Sequence, residues 1–251
     1  MKKSCSFLIG IAVMMFPIAA QQVLAQQNIL ASSEYAWTKQ KWLPQVDKQF
    51  EKIESSLGRM SEAQLLLRIK KPLAANPQAS SLFDRGTAGY LLRMKFKNSR
   101  GENAISEVLR QFPLTSTPDS YRFARLKFLI IARQSRHQEL RSLGIRLARK
   151  NSKDYDVRYL LTNLLKPEMN QADKKLALQN LQEMTRLQPN RPSLFSLRGK
   201  VYYRLWLVSR SQSDRNNSIS SYKRYLQIAH KHDPFRFQAQ RLVTQLQTYR
   251  P

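Results

Sequence analysis

Cysteine is nearly absent from this chain. The single one, Cys5, stands in front of an N-terminal apolar run, where it does not fit a lipoprotein acylation site, and only three histidines accompany it. A disulfide framework is therefore excluded, as is a zinc site made of cysteines and histidines at their usual spacings. Acidic residues are scarce too: 17 Asp and Glu face 43 Lys and Arg, a formal charge of +26. Several of them, Glu62, Glu102, Asp119, Asp156 and Asp173, stand where a helix should begin, so capping and helix-dipole chemistry accounts for them. Glu51 and Glu54 share a helix face, but nothing around them marks a sugar-cleaving cleft. Gly-rich phosphate loops, G-x-S-x-G and H-E-x-x-H are missing. No stretch alternates β-branched residues between turn signals, so no sheet is expected. The sequence asks for no enzyme activity, no cofactor and no metal. His230-Lys231-His232-Asp233 is the best metal candidate, and on a helix two imidazoles two residues apart diverge.

What is present begins with a targeting pattern. Lys2 and Lys3 precede the apolar run Phe7 to Ala20, and Val23-Leu24-Ala25 supplies small residues at −3 and −1 of a cut after Ala25. This reads as a signal peptide, residues 1–25, with an uncleaved anchor as the alternative. The protein is then exported, to a periplasm or beyond the cell, and no later stretch is apolar and long enough for a membrane span. Removing two lysines barely changes the charge. So basic a chain attracts anionic partners, and in an exported protein these include phospholipid head groups, envelope polymers and acidic proteins. Nucleic acid is not the expected partner.

Residues 26–43 read as a leader with a short helix through Trp37 and Trp42, ended or kinked at Pro44. From 44 to 251 the pattern is helical throughout. Val46, Phe50, Ile53 and Leu57 share one face, and Gly58 stops the run; Ser61 opens the next helix. Ser99-Arg100-Gly101 and Ser209 to Asn217 read as turns. Ala104, Leu140, Ala177 and Ser218 stand at matching places in successive second helices, 36, 37 and 41 residues apart. Within Pro192 to Pro234, Phe195, Gly199 and Tyr202 fall on one face of a first helix, and Ser218, Tyr222 and Tyr225 on one face of a second. An interior glycine costs about 1 kcal/mol against alanine, so Gly199 predicts a close helix crossing. Residues 235–249 form a closing helix.

This stretch resembles a tetratricopeptide repeat, a helix–turn–helix unit of about 34 residues with the pattern W-x2-L-G-x2-Y…A-x3-F…P. Phe195 stands for the Trp, Gly199 and Tyr202 match, and Ser218 and Tyr222 stand for Ala and Phe; Ala177, Leu181 and Pro189 match in the preceding unit. The clearest units are about 155–191 and 192–234. The resemblance implies an all-α fold of antiparallel helix–turn–helix repeats stacked into a short right-handed superhelix. It also implies a concave groove, lined by first helices, that holds a partner segment. Carried over position by position, that groove takes Arg122, Arg125 and Arg133, then Tyr159 and Asn163, then Ser196, Lys200, Tyr203 and Arg204. Leu129 and Leu160 stand where the family's carboxylate clamp has asparagines, so that specificity is not carried over. The expected partner is an acidic protein segment; the alternative is an anionic envelope polymer or lipid bound through net charge. A further basic surface is expected on Arg141, Arg146, Arg149, Lys150 and Lys153, and Asn216-Asn217-Ser218 is formally a glycosylation sequon in an exposed turn.

Overall fold

A computed structural model describes residues 42–111, 119–134 and 140–249, apart from the side chains of Arg133 and Gln134. The signal segment and nearly all of the leader lie outside the described residues. Among those described, every regular element is an α-helix: α1 (Pro44–Gly58), α2 (Glu62–Arg68), α3 (Ala79–Lys95), α4 (Arg100–Gln111), α5 (Tyr121–Gln134), α6 (Leu140–Lys150), α7 (Tyr155–Leu164), α8 (Gln171–Leu187), α9 (Pro192–Ser209), α10 (Gln212–Ile228) and α11 (Phe235–Thr248). None of these helices is long and apolar enough to cross a membrane.

Local chemistry fixes many of the boundaries. Pro44 opens α1, since the first turn has no use for the missing N–H. Ser61 and Gln64 form a reciprocal capping box at α2. The Asp154 and Asn170 side chains accept backbone N–H groups of the first turns of α7 and α8. Two expected turns are corrected. Ser99-Arg100-Gly101 is not a glycine turn: Lys97, with φ 59°, makes the bend, and Gly101 lies inside α4. Ser209 to Asn217 is mostly helix, with only Arg210 and Ser211 between α9 and α10 and Arg210 in the left-handed region. There Ser209 Oγ donates to Asp214, and Gln212 donates to Asn216 one turn on, so polar side chains support the helix without an apolar stripe. Ser218 is consequently buried inside α10 and donates to the Gly199 carbonyl at 2.9 Å, which removes the sequon from any exposed turn.

The chain divides into two compact units, residues 1–126 and 127–251. In the first, Phe50, Phe83 and Phe123 bring their rings within 4.8–6.2 Å of one another, and Leu57, Leu65, Ala88 and Leu92 form a second buried cluster. Gly89 and Gly101 let α3 and α4 meet at backbone distance: a Cβ on Gly101 would lie 2.5 Å from the Gly89 carbonyl oxygen. In the second unit the helices pack in order, α6 on α7, α7 on α8, α8 on α9, α9 on α10 and α10 on α11, while α7 also touches α9. Ala177, Leu181 and Tyr222 are buried there, and half-buried Phe195 packs on the Tyr222 cluster. Tyr202 is half-buried. The tightest crossing is α9 on α10, where a Cβ on Gly199 would lie 2.7 Å from two ring carbons of Tyr222. That ring is 1% exposed and has nowhere to go.

Gly199→Ala should therefore lower stability, the overpacking cost of about 1–3 kcal/mol exceeding the gain of about 1 kcal/mol in helix propensity. In a Tyr222→Leu background the same substitution should cost little or stabilise. A double-mutant cycle by urea denaturation reads this coupling, and additive effects would sink the crossing argument.

Lys127, 2% exposed, has its ammonium lowered by burial from an ordinary 10.5 to about 7. Between those values the unfolded chain binds a proton that the folded chain refuses. Stability should accordingly rise with pH from about 7 towards 9.5, by up to about 1.4 kcal/mol per pH unit. Lys127→Met should flatten this rise and be the more stable protein at pH 7, as read from denaturation midpoints at pH 7 and 9.

Candidate functional site

The residues named for the groove separate into three groups. Arg122 and Arg125 belong to the first unit and are turned onto α1. Arg122 binds Glu51 at 2.9 Å and Glu54 more closely still, its backbone N–H reaches Asp47 at 2.9 Å, and Arg125 stands 3.5 Å from Glu54. These arginines consume the paired carboxylates of α1 in a structural network. The Arg133 side chain lies outside the described residues.

Tyr159, Asn163, Ser196 and Lys200 form the second group, and these four do come together. They line a hollow of about 360 Å³ between α7 and α9 in the second unit. One side is made by α7, whose Asn163 amide donates back to the Tyr159 carbonyl at 3.0 Å, leaving its Oδ1 to accept from Lys200 Nζ at 3.0 Å. The other side is α9, with Ser193, Ser196, Leu197 and Lys200 at successive turns. Polar contacts join the two helices and their ends: Tyr155 to Ser193, Arg191 to Asp156, Asn163 to Lys200, and Arg204 to the Leu165 carbonyl. Their sequence separations run from 35 to 39. The two helices therefore lie side by side and run in the same direction.

Tyr203 and Arg204 are set apart from this hollow. Tyr203 packs on Trp206 of its own helix, ring centres 5.9 Å apart. Arg204 donates to the Leu165 carbonyl at 2.9 Å and to Glu168 at 2.5 Å, so it fastens α9 to the end of α7. Arg141, expected on a solvated basic face, instead reaches Asp173 at 2.6 Å. Asp173 is 1% exposed; burial alone would push its carboxyl up, but the Lys166 backbone N–H and the Arg141 guanidinium together hold it below the usual range.

Three further residues close the hollow and were not expected there: Tyr225 from α10, and Asp233 and Phe235 at the start of α11. Asp233 stands just before Pro234, the N-cap of α11, and accepts the Phe235 backbone N–H at 2.9 Å. Tyr225 had been read as core because of its helical spacing, and it is indeed only 2% exposed. Its hydroxyl nevertheless has no hydrogen-bond partner of acceptable geometry. Burial, and then the neighbouring Asp233 carboxylate, push the phenol up, so the group stays a neutral donor and acceptor. The signal available in the sequence was the proximity of Tyr225 to the polar stretch 230–233, too local to predict a shared cavity.

His230 and His232 lie in the turn before α11, not on a helix, with ring centres 5.4 Å apart. His230 Nδ1 already accepts the His232 backbone N–H at 3.3 Å. Among the described residues no group of three or more His, Cys, Asp or Glu is placed to hold a metal ion. A second hollow, in the first unit, is lined by Leu66, Leu67 and Ile69 with Arg85 and Arg100 at its edge. Arg85 is committed to Glu107 and to the carbonyls of Ile69 and Lys71.

No family model matches the chain, and no curated protein or solved structure matches it either.

A buried hydroxyl left without a partner costs about 1–3 kcal/mol. Tyr225→Phe should thus be as stable as the parent or more so, measured by thermal denaturation. A loss above about 1 kcal/mol would mean that the hydroxyl serves the fold.

Proposed function

We propose that this chain is an exported, non-enzymatic scaffold. Its residues from 155 onward form stacked helical hairpins of the tetratricopeptide type, and the groove between α7 and α9 holds an acidic segment of a partner protein. The observation that carries this reading is the narrow range of offsets, 35 to 39 residues, at which α7 and α9 and their ends touch. Stacked repeats require equivalent first helices to meet at one unit length, and each unit to contact its sequence neighbours. The order of packing from α6 to α11 fits that requirement. Tyr159, Asn163, Ser196 and Lys200, the positions that such a groove would use, line one hollow. Lys200 brings positive charge to it, and the field of a chain at +26 adds long-range attraction for acidic segments. Export rests on the N-terminal pattern of two lysines, an apolar run and Ala25.

The net charge also favours a second reading, in which the basic surface holds an anionic envelope polymer or lipid. Panning a random-peptide library against the chain separates the two. The scaffold should return acidic segments whose binding weakens at least several-fold in Lys200→Ala and persists at high salt. Binding that vanishes with salt and ignores Lys200 would support the polyanion reading instead.

A further inference from the structure

The hollow between α7 and α9 is more specialised than a groove for an acidic segment requires. Lys200 and Asp233 both line it, so it presents one cationic and one anionic side chain to a common space. A purely anionic ligand would be set against the Asp233 carboxylate, and a purely cationic one against the Lys200 ammonium; each mismatch costs affinity. A ligand bearing both charges meets neither objection. Tyr159 and Phe235 also line the hollow, and an aromatic face is a place where an ammonium group is favoured. Leu197 and Phe235 supply apolar surface for a side chain.

The Tyr225 hydroxyl is the second, independent observation. It is buried and it lines the hollow, where the Asp233 carboxylate lies beside it without a hydrogen bond of good geometry. Few buried polar atoms in a folded chain are left so, and one that faces a cavity is satisfied by whatever enters. The volume, about 360 Å³, lies at the small end of small-molecule pockets, which span about 300–1,000 Å³. That is room for one compact solute, or for a single residue of a bound segment.

We infer that this hollow binds a small zwitterion, a free α-amino acid with an apolar or aromatic side chain. Its carboxylate lies at Lys200, its ammonium lies between Asp233 and the aromatic rings, and the Tyr225 hydroxyl hydrogen-bonds to its polar head. A residue at either end of a peptide carries only one of the two charges, so the free amino acid is the preferred ligand. The site shares a wall with the proposed groove but needs no partner segment.

Isothermal titration of the full chain with L-phenylalanine and L-leucine, their methyl esters and their N-acetyl derivatives tests this directly. The free amino acids should bind at least tenfold more tightly than either single-charge derivative. Tyr225→Phe should weaken them several-fold, and Lys200→Met should abolish the preference over the methyl ester. N-acetyl derivatives binding as well as the free amino acids would make this an anion pocket and overturn the inference. Equal binding of the methyl esters would make it a cation pocket and overturn it too, as would a Kd weaker than about 10 mM for every zwitterion. An unchanged Kd in Tyr225→Phe would remove the hydroxyl's role. Because no peptide is present, failure here leaves the partner-segment reading standing, and failure of the peptide panning leaves this site standing.

Discussion

The second unit depends on how closely α9 can lie on α10. Gly199 leaves no side chain at the crossing, the Tyr222 ring fills the space against the bare backbone, and Ser218 donates to the Gly199 carbonyl across the same contact. Helices held that near place Tyr225, one turn beyond Tyr222 on α10, against the wall made by α7 and α9. The position of α11 follows, since Phe235 packs on both tyrosines. A glycine that weakens its own helix thus sets the geometry of a cavity some distance away. Gly144, against Phe128 and Leu161, makes a comparable close approach earlier in the same unit.

A shortage of carboxylates shapes the rest of the packing. With so few acids available, arginines turn to the backbone. Arg236 donates to the carbonyls of Leu226 and Ala229, Arg204 to that of Leu165, Arg158 to that of Ser152, and Arg215 to those of Leu246, Gln247 and Tyr249. Several of these carbonyls belong to the last turn of a helix or lie just beyond it, where no intrahelical N–H remains and the helix dipole favours positive charge. A guanidinium can do this because its donors form a fixed planar fork; an ammonium on a flexible stem would not span three carbonyls.

Helix positions were legible because they are written locally. The Ser61–Gln64 box, the first turn at Asp173 and the apolar faces of α1 and α9 can each be read within a few residues. What could not be read depends on partners distant in sequence. Gly101 looked like a turn residue until Gly89 was found against it. The polar run after Ser209 looked like a loop because no apolar stripe marks it as helix. Arg122 and Arg125 were expected in a groove and Arg141 on a solvated basic surface, yet Glu51, Glu54 and Asp173 lie opposite them. Of the candidate site, Tyr159, Asn163, Ser196 and Lys200 were among the positions named for a groove, and they line one hollow. The roof joins Tyr225 of α10 to Asp233 and Phe235 at the start of α11, a meeting that no local spacing predicts.

The arginine–carbonyl contacts change what the charge of the molecule means in solution. A guanidinium that clasps backbone oxygens keeps its full charge, but its direction and reach are already taken. It cannot swing out to pair with a phosphate or carboxylate on a polymer, and any anion held loosely near it is not expelled when such a polymer arrives. Counterion release, which drives polyelectrolyte binding, scales with the cations that actually make new contacts. Arg158, Arg204, Arg215 and Arg236 are therefore poor contributors to it, and the formal +26 overstates the number of ions that binding could liberate.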